Sequence, residues 1–266
     1  MTEALIDKRQ VAESFGRAAQ TYDQAAAFQR TVGNNLLARL PAWQMPRAVM
    51  DLGCGTGYFT RALQQRYGEP VLGLDLAEGM LRYAREQSDT PGRWVAADAE
   101  SLPLRATSQD LIFSSLALQW CPDLAQVLRE AKRVLRPGGC LAFSTLVEGS
   151  LFELRDSWRA VDGFVHVNRF MPQESLQTLL AEAGFARWQC TIEEHVLRYG
   201  QLSELTRELK ALGAHNLNPG RPGGLTGRAR LRALTQAYEQ YRSEGSLPAT
   251  YQVAQVLLFK ASAGNN

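Results

Sequence analysis

Residues 49–60 read VMDLGCGTGYFT, an apolar run into Asp51, three alternating glycines and the start of a helical pattern. Glycine adopts backbone conformations that other residues avoid, and it lets a ligand approach the main chain closely. Where such a turn joins a strand to a helix, backbone N–H groups at the helix start also face the ligand. The stretch therefore predicts a ligand-binding turn at the carboxyl end of a strand.

The glycine spacing narrows the class of ligand. The pattern is D-x-G-x-G-x-G, whereas a dinucleotide fingerprint needs G-x-G-x-x-G, and Tyr58 stands where its third glycine would be. No Gly-Lys-Ser/Thr follows, which argues against a phosphate-binding P-loop. Asp75 ends the apolar run VLGLD, 18 residues after Gly57. A carboxylate at that point can accept hydrogen bonds from a ribose diol.

Short β-rich runs alternate with helical patterns along the chain. Strands are predicted at 48–51, 71–75, 94–97, 111–115, 140–146, 191–199 and 251–260, and Pro137, Gly138 and Gly139 are expected to form a turn. This alternation predicts an α/β fold, a Rossmann-like and mostly parallel seven-stranded sheet with helices on both faces.

We expect a single domain over residues 1–266, in which helical insertions interrupt the later part of the sheet. N-terminal cap helices take 1–45, the ligand-binding core takes 46–148, lid insertions take 149–171 and 200–247, and the rest of the sheet takes 172–199 and 248–262. Ligands of such sheets bind beyond the carboxyl ends of the strands, where both insertions are expected to lie.

Composition excludes several functional classes. Hydrophobic residues make up 45% of the chain and charged residues 21%, which are ordinary globular values. The net charge of only +2 argues against a nucleic-acid partner. The four cysteines are far apart and predict neither disulfides nor a metal site. No apolar run is long enough to span a membrane. We expect a cytoplasmic monomer without a membrane partner.

The glycine turn, the acid after the second strand and the alternating pattern together resemble the cofactor region of class I S-adenosylmethionine-dependent methyltransferases. The resemblance implies that S-adenosylmethionine is the cofactor. The expected cofactor-binding residues are Tyr22, Asp51, Gly53, Gly55, Gly57, Asp75, Leu76, Met80, Asp98, Ala99 and Leu116. Two of them have structural alternatives, because Tyr22 could simply pack a helix onto the sheet and Asp98 could cap a turn.

Longer stretches are similar to one family. The segments FGRAAQTYDQAAAFQR, LGCGTG, SLALQWC, TLVEGSLFEL and HVNRFMP resemble the malonyl-acyl-carrier-protein O-methyltransferases of biotin synthesis. The resemblance covers the first two thirds of the chain, whereas the loop NPGRPGGLTGR departs from it. It implies methyl transfer to the free carboxylate of a malonyl thioester. That carboxylate is ionised at neutral pH, so no side chain must remove a proton from it.

The reaction then depends on placement and on exclusion of water. The apolar run SSLALQW predicts a floor between cofactor and substrate, although its leucines could equally be core residues. The expected substrate-orienting residue is Arg169, and Tyr22, Gln119 and His166 are supporting candidates for the same role. Arg169 could instead form a structural salt bridge, and His166 could be a packing histidine.

An acyl-carrier partner is acidic, so the resemblance also implies a basic docking surface. No Asp or Glu occurs between residues 211 and 238, where the arginines lie, and more basic residues end an earlier core helix. The expected partner-binding residues are Lys132, Arg133, Arg221, Arg228 and Arg230. Coenzyme A could present the malonyl group instead, and a charge run could be only a solvated face.

Two other functions stay open from the sequence. A methyltransferase for phenol or quinol oxygens, or for carbon, would usually need a general base aimed at the methyl group. A non-catalytic protein that binds S-adenosylmethionine could keep the same glycine turn.

Overall fold

The structure is a computed structural model, and it describes residues 7–41, 46–88, 92–214 and 227–263. Within those ranges the strands form one sheet in the order β3, β2, β1, β4, β5, β7, β6. Strands β1 to β5 pair in parallel, and β7 runs antiparallel to both of its neighbours. The strands are β1 Val49–Leu52, β2 Val71–Asp75, β3 Arg93–Ala96, β4 Gln109–Ser115, β5 Leu135–Leu146, β6 Arg187–Tyr199 and β7 Leu247–Phe259. The predicted α/β class and the mostly parallel sheet are confirmed.

Helices fill most of the connections and precede the first strand. They are α1 Lys8–Ala25, α2 Ala27–Arg39, α3 Tyr58–Tyr67, α4 Glu78–Glu86, α5 Leu124–Val134, α6 Phe152–Arg159, α7 Gln173–Glu182, α8 Leu202–Ala211 and α9 Arg228–Tyr238. Successive residues of a strand face opposite sides of the sheet. In β4, Ile112 packs with α5 and α7, whereas Leu111 and Phe113 pack with α2 and α3. Helices therefore cover both faces, as predicted.

The last three strands begin earlier than predicted. β5 starts at Leu135, so the predicted turn at Pro137, Gly138 and Gly139 falls within the strand. The backbone is irregular there, because β5 pairs with β4 at Leu135 and again at Cys140 with a shift of register between them, and Gly138 has a φ of +78°. β6 and β7 pair along their whole length, from Arg187 opposite Phe259 to Tyr199 opposite Leu247. Backbone pairing extends these strands into stretches whose side chains show no continuous apolar run.

A separate apolar cluster lies beyond the carboxyl end of β5. Val253 is the β7 partner of Leu146, so residues 247–252 extend past the last residue of β5. Helices α2, α6, α8 and α9 pack around this extension; the buried residues include Val32, Leu154, Leu205, Leu234 and Tyr238. We call this cluster the lid. It brings both expected insertions together with the N-terminal helices, and the division into cap, core and lid segments stays a prediction.

Candidate active site

The glycine turn after β1 is held by the neighbouring strand. The N–H groups of Gly53 and Cys54 both donate to the carbonyl of Leu74, at 2.7 and 3.0 Å. Gly53 has a φ of +73°, and a Cβ there would lie 2.3 Å from the Cβ of Ala117. Gly55 has a φ of +53°, and no atom lies within 4 Å of the place where its Cβ would be. The turn is therefore packed against Leu74 and Ala117 at Gly53, whereas the space beside Gly55 is open to a ligand.

Asp75 closes the turn from the end of β2. Its carboxylate accepts hydrogen bonds from the N–H groups of Gly55 and Ala77, both at 2.8 Å. Burial raises the pKa of this carboxyl, and the backbone donors act in the opposite direction. A carboxylate has about four acceptor sites and the backbone donors do not fill them all, so Asp75 can still accept a bond from a ligand.

A cleft of about 770 Å³ opens beside this turn, and we call it the glycine-turn cavity. Loops after four adjacent strands line it, together with α1. Of the expected cofactor residues, it is lined by Tyr22, Gly53, Gly55, Asp75, Leu76, Met80, Asp98, Ala99 and Leu116.

Asp51 and Gly57 are not among the lining residues. Asp51 is 2% exposed, and one of its oxygens accepts a bond from the hydroxyl of Thr60 at 2.6 Å. Burial raises the pKa of Asp51 to about 7, and the charge of Asp75 adds to the rise, whereas Thr60 opposes it. Gly57 is the N-cap of α3 in a left-handed conformation. Both residues therefore support the glycine turn without lining the cavity.

Helix α1 closes the other side of the cavity. Lys8 pairs with Asp98 at 2.7 Å and with Glu100 at 2.6 Å, while the other oxygen of Asp98 caps a turn through the N–H of Glu100. Further along the helix, Asp23 accepts a hydrogen bond from the hydroxyl of Thr56, next to Gly55 in the turn. The helix is therefore fixed to the glycine turn and to the loop after β3.

The same helix is attached to the lid. The hydroxyl of Ser14 donates to the carbonyl of Gly213 at 3.0 Å, and that of Thr21 donates to the carbonyl of Ala211 at 2.8 Å. Gly16 of α1 meets Gly79 of α4 so closely that a Cβ on Gly79 would lie 2.7 Å from the Cα of Gly16. Helix α1 thus joins the glycine turn to the lid.

A second cleft of about 740 Å³ lies under the lid, and we call it the lid cavity. It shares lining residues with the glycine-turn cavity, namely Phe15, Tyr22, Leu116 and Trp120. The rings of Phe15 and Trp120 meet edge to face with centroids 5.2 Å apart. Burial raises the pKa of Tyr22, and the charges of Asp75 and Asp23 add to it, so this tyrosine stays a neutral phenol. The two cavities meet at an aromatic and apolar junction.

The predicted substrate residues occupy different places. Gln119 lines the lid cavity, but its amide N–H donates to the carbonyl of Leu116 at 2.7 Å and its oxygen accepts from Thr145 at 3.4 Å. His166 also lines it, stacked on Trp158 with ring centroids 3.7 Å apart. Its Nε2 lies 2.8 Å from Asp162. Both side chains are therefore engaged by the protein itself.

Arg169, the favoured substrate residue, is exposed and is not among the residues that line the lid cavity, although its neighbours Asn168 and Phe170 are. Its role as a carboxylate ligand stays a prediction. Its sequence position gave no sign that the side chain would lie outside.

The predicted partner residues fall on two sides of the molecule. Arg228 and Arg230 lie on α9 of the lid, and Arg230 approaches Asp162 at 3.8 Å. Lys132 and Arg133 lie at the end of α5, directly before β5. They are therefore at the amino ends of the parallel strands, whereas the cavities lie at the carboxyl ends. Arg133 is also occupied there by Glu130 and two backbone carbonyls. Arg221 lies outside the described residues.

Sequence reasoning missed Lys8 and Gln29. Lys8 is the cation that faces Asp98, and no local motif marks it. Gln29 lines the lid cavity from α2. A signal for Gln29 exists, because helical spacing puts it on the same face as Val32 and Leu36, which are fully buried. A polar residue on that apolar face could have been picked out.

The described ranges contain neither a candidate metal site nor a candidate membrane span. No group of three or more His, Cys, Asp or Glu side chains is placed to hold a metal ion in the part of the chain that the structure describes. Among the described helices, none combines the length and apolarity that a membrane span requires.

Comparison with known sequences adds independent information. A family model described as a methyltransferase domain matches residues 50–143. The biotin biosynthesis bifunctional protein BioHC of Cellvibrio japonicus is 48% identical over 96% of this chain, which spans 51% of that longer protein. The malonyl-[acyl-carrier protein] O-methyltransferase of Hahella chejuensis is 44% identical over 93% of this chain and 89% of its own length. The protein of the same description from Serratia marcescens is 43% identical, covering 96% of this chain and 97% of its own.

Solved structures agree on the fold. The YcgJ protein of Bacillus subtilis superimposes with a TM-score of 0.61 at 18% identity, covering 88% of this chain and 99% of its own. A putative methyltransferase from Bacillus halodurans gives a TM-score of 0.59, also at 18% identity, over 86% of this chain and 100% of its own. Likeness at this level of identity bears on the architecture alone.

Proposed function

Because the chain belongs to the malonyl-[acyl-carrier protein] O-methyltransferase family, we propose that it methylates the free carboxylate of a malonyl group held as a thioester on acyl-carrier protein. The methyl donor is S-adenosylmethionine, and the product is a methyl ester, formed at an early step of biotin synthesis. We further propose that the enzyme is a cytoplasmic monomer that binds neither nucleic acid nor membrane. The near-balanced net charge of +2 supports the part of this proposal that concerns nucleic acid.

The observation that carries this proposal is the junction of two unlike cavities. One is lined by the glycine turn and by carboxylates, and the other is mostly apolar. Among the described residues, the lining of the lid cavity contains no Asp or Glu, and its one histidine is His166, stacked on Trp158. A phenol or carbon substrate would need a general base at this point, and His166, whose Nε2 is held by Asp162, is the one described lining residue of that type. A malonyl carboxylate, which is already ionised, needs none.

The glycine-turn cavity fits the cofactor in shape and chemistry. The open side of Gly55 admits a ligand against the backbone, and Asp75 keeps lone pairs free for a ribose diol. Asp98 can accept a bond from the adenine amine beside Leu76 and Met80. When bound, S-adenosylmethionine supplies a methyl group activated by a positively charged sulfur.

The protein positions the reacting groups and excludes water from them. Phe15, Trp120 and Leu116 line the junction of the cavities, so they keep water away from the point where charged groups must meet. The attachments of α1 to both the glycine turn and the lid hold this junction closed. Correct placement of reacting groups alone can lower a barrier by several kcal/mol.

The direct experiment is mass spectrometry of malonyl-carrier protein after incubation with the enzyme and S-adenosylmethionine. We expect a mass gain of one CH₂ group that alkaline hydrolysis removes, as an ester requires. Acetyl-carrier protein, which lacks the free carboxylate, is the control and should not change. Methylation of neither carrier, with the cofactor bound, would contradict the proposal and favour a non-catalytic binding protein.

We also propose that the carrier docks on α9. Arg228 and Arg230 are exposed there beside the exposed apolar side chains of Phe164 and Leu231, and Arg230 lies over the Phe164 ring at 5.8 Å. Positive charge beside an apolar surface suits an acidic protein partner. Lys132 and Arg133 lie at the end of α5, directly before β5, and are not part of this proposed surface.

Arg228→Glu tests this docking surface, and Arg230 is left unchanged because it contacts Asp162 within the lid. The variant should slow association with malonyl-carrier protein several-fold at low salt, and the difference should shrink as salt rises. Arg105→Glu is the matched control, since this exposed arginine lies in the loop before β4, at the amino ends of the parallel strands and away from the cavities. Equal loss with malonyl-pantetheine as substrate would mean that Arg228 supports the lid instead.

A further inference from the structure

The lid cavity offers a carboxylate no cationic partner among the residues described. Its described lining contains no Lys or Arg, and Arg169 lies exposed outside it. Its polar side chains are amides, phenols and one histidine; they are Tyr22, Gln29, Gln119, His166, Asn168 and Tyr251. The Nε2 of His166 is already held by Asp162. In the part of the cavity that the structure describes, the amides and phenols are therefore the neutral donors available to orient a carboxylate.

A neutral donor suits the chemistry better than an arginine would. In methyl transfer, a carboxylate oxygen forms the new bond to the methyl carbon while the methyl–sulfur bond breaks and its electron pair stays on sulfur. No proton moves, and the negative charge of the carboxylate disappears as the ester forms. A cation at the carboxylate would stabilise the ground state more than the transition state, which slows the reaction. A single amide N–H orients the oxygen with less of that penalty.

Gln29 is the lining amide with a buried, unpaired atom. Its side-chain oxygen is buried and has no hydrogen-bond partner among the residues that the structure describes. In contrast, both ends of the Gln119 amide are occupied. A buried amide oxygen without a partner is destabilising, and such groups are rare in folded proteins unless a ligand completes them. The oxygen and NH₂ of an amide also exchange places by a simple rotation.

We propose that Gln29 donates its side-chain amide N–H to the malonyl carboxylate and so positions that carboxylate for methylation. This inference rests on the proposed function, because it takes a malonyl group as the occupant of the lid cavity. Phe28, which precedes Gln29 on α2, also lines the cavity, and its ring packs on that of Tyr251 with centroids 4.5 Å apart. This contact holds α2, and with it Gln29, against β7.

The test compares Gln29→Leu with Gln24→Leu, the same change at an exposed glutamine of the neighbouring helix α1. Calorimetry without cofactor measures the binding of malonyl-pantetheine and of acetyl-pantetheine, which lacks the carboxylate. Gln29→Leu should weaken malonyl-pantetheine binding about 10- to 100-fold, as the loss of a hydrogen bond to a charged group does. Its acetyl-pantetheine binding should stay within about twofold, and Gln24→Leu should change neither.

Thermal unfolding separates this role from a structural one. A glutamine that supports the fold would destabilise the protein when replaced, whereas an unpaired buried amide replaced by leucine should leave the melting temperature equal or higher. Equal weakening of both thioesters, or a clear fall in melting temperature, would overturn the assignment of Gln29. If the wild type binds both thioesters alike and methylates neither, the proposed function itself fails.

Gln29→Glu gives a second readout. A carboxyl group at this position donates a hydrogen bond only while it is protonated, and once ionised it repels the substrate. Burial and the negative charge of the substrate raise the pKa of this carboxyl above its ordinary value of about 4. The variant should therefore lose malonyl-pantetheine affinity progressively as pH rises from 4.5 to 8, whereas the wild type should change less. A variant profile that follows the wild type over this whole range would overturn the proposed contact.

Discussion

The glycine-turn cavity takes most of its lining from loops that directly follow four adjacent strands, whereas the lid cavity is assembled from helices and loops far apart in the chain. The first holds its ligand-binding groups through backbone hydrogen bonds, such as those from Gly55 and Ala77 to Asp75. The second depends on side-chain packing between α2, α6, α8 and β7.

This difference separates two chemical tasks. Backbone donors and buried carboxylates give one fixed set of hydrogen bonds, as binding of an invariant cofactor requires. A packed, mostly apolar cavity with a few neutral amides instead selects a substrate and excludes water. Helix α1 lines both cavities, so a change in it should affect both tasks, whereas a change in either lining should affect one.

The largest expected effect concerns the buried acid behind the glycine turn. The folded-state pKa of Asp51 is raised to about 7 from its ordinary value of 3.8. Between these two values the folded protein binds more protons than the unfolded chain, so its free energy of unfolding falls as pH rises. Asp51→Asn cannot ionise but can still accept the bond from Thr60. Above pH 7 it should be more stable than the wild type by on the order of 2–4 kcal/mol.

Urea unfolding of the cofactor-free protein at several pH values from 5 to 8 measures this effect. The wild type should lose stability across the range, and the variant should lose less. Malonyl-pantetheine binding should not follow the same pH dependence, because the described lining of the lid cavity holds no acid. An unchanged pH slope in the variant would show that another group titrates.

The next effect concerns cofactor affinity. Asp75→Ala removes the proposed diol acceptor and also two backbone bonds that shape the turn. Affinity for the cofactor should fall by about 1.5–3 kcal/mol, typical of hydrogen bonds to a charged group, with malonyl-pantetheine binding nearly unchanged. Asp110→Ala is the matched control, because Asp110 accepts bonds from the N–H groups of Arg47 and Ala48 at the amino ends of the parallel strands, away from the cofactor cavity. Equal affinity in Asp75→Ala and the wild type would refute the assignment.

The same contrast explains what the sequence could predict. The glycine turn and Asp75 are specified within a few residues, and parallel strands bring their carboxyl ends together whatever else the chain does. Periodicity located β2 at its observed limits, 71–75. The starts of β5, β6 and β7 were missed because pairing with distant strands, not local side-chain pattern, sets them.

The substrate side depended on packing that no local pattern encodes. Arg169 was favoured for its charge, yet its side chain is exposed, and Gln29 on the preceding helices was passed over. His166 was recognised as a possible packing residue, and its stacking on Trp158 agrees with that alternative. Which of several polar residues faces a cavity depends on the rotation of each helix, which tertiary contacts decide.

The smallest expected effect tests whether α1 is the shared wall of the two cavities. A Cβ added at Gly79 would lie 2.7 Å from the Cα of Gly16, so Gly79→Ala must push α1 away from α4. We expect a loss of about 1 kcal/mol of stability, at the low end for overpacking because a helix can shift. Affinities for cofactor and for malonyl-pantetheine should fall together, by a few-fold each.

Gly16→Ala is the matched control, since its Cβ would meet Gly79 at an ordinary 3.6 Å and alanine favours a helix by about 1 kcal/mol over glycine. That variant should be as stable as the wild type or more so, with both affinities kept. Calorimetry with each ligand and thermal unfolding of both variants measure the comparison. Loss of cofactor affinity alone in Gly79→Ala would mean that α4, and not α1, transmits the change, and the two cavities would then be independent.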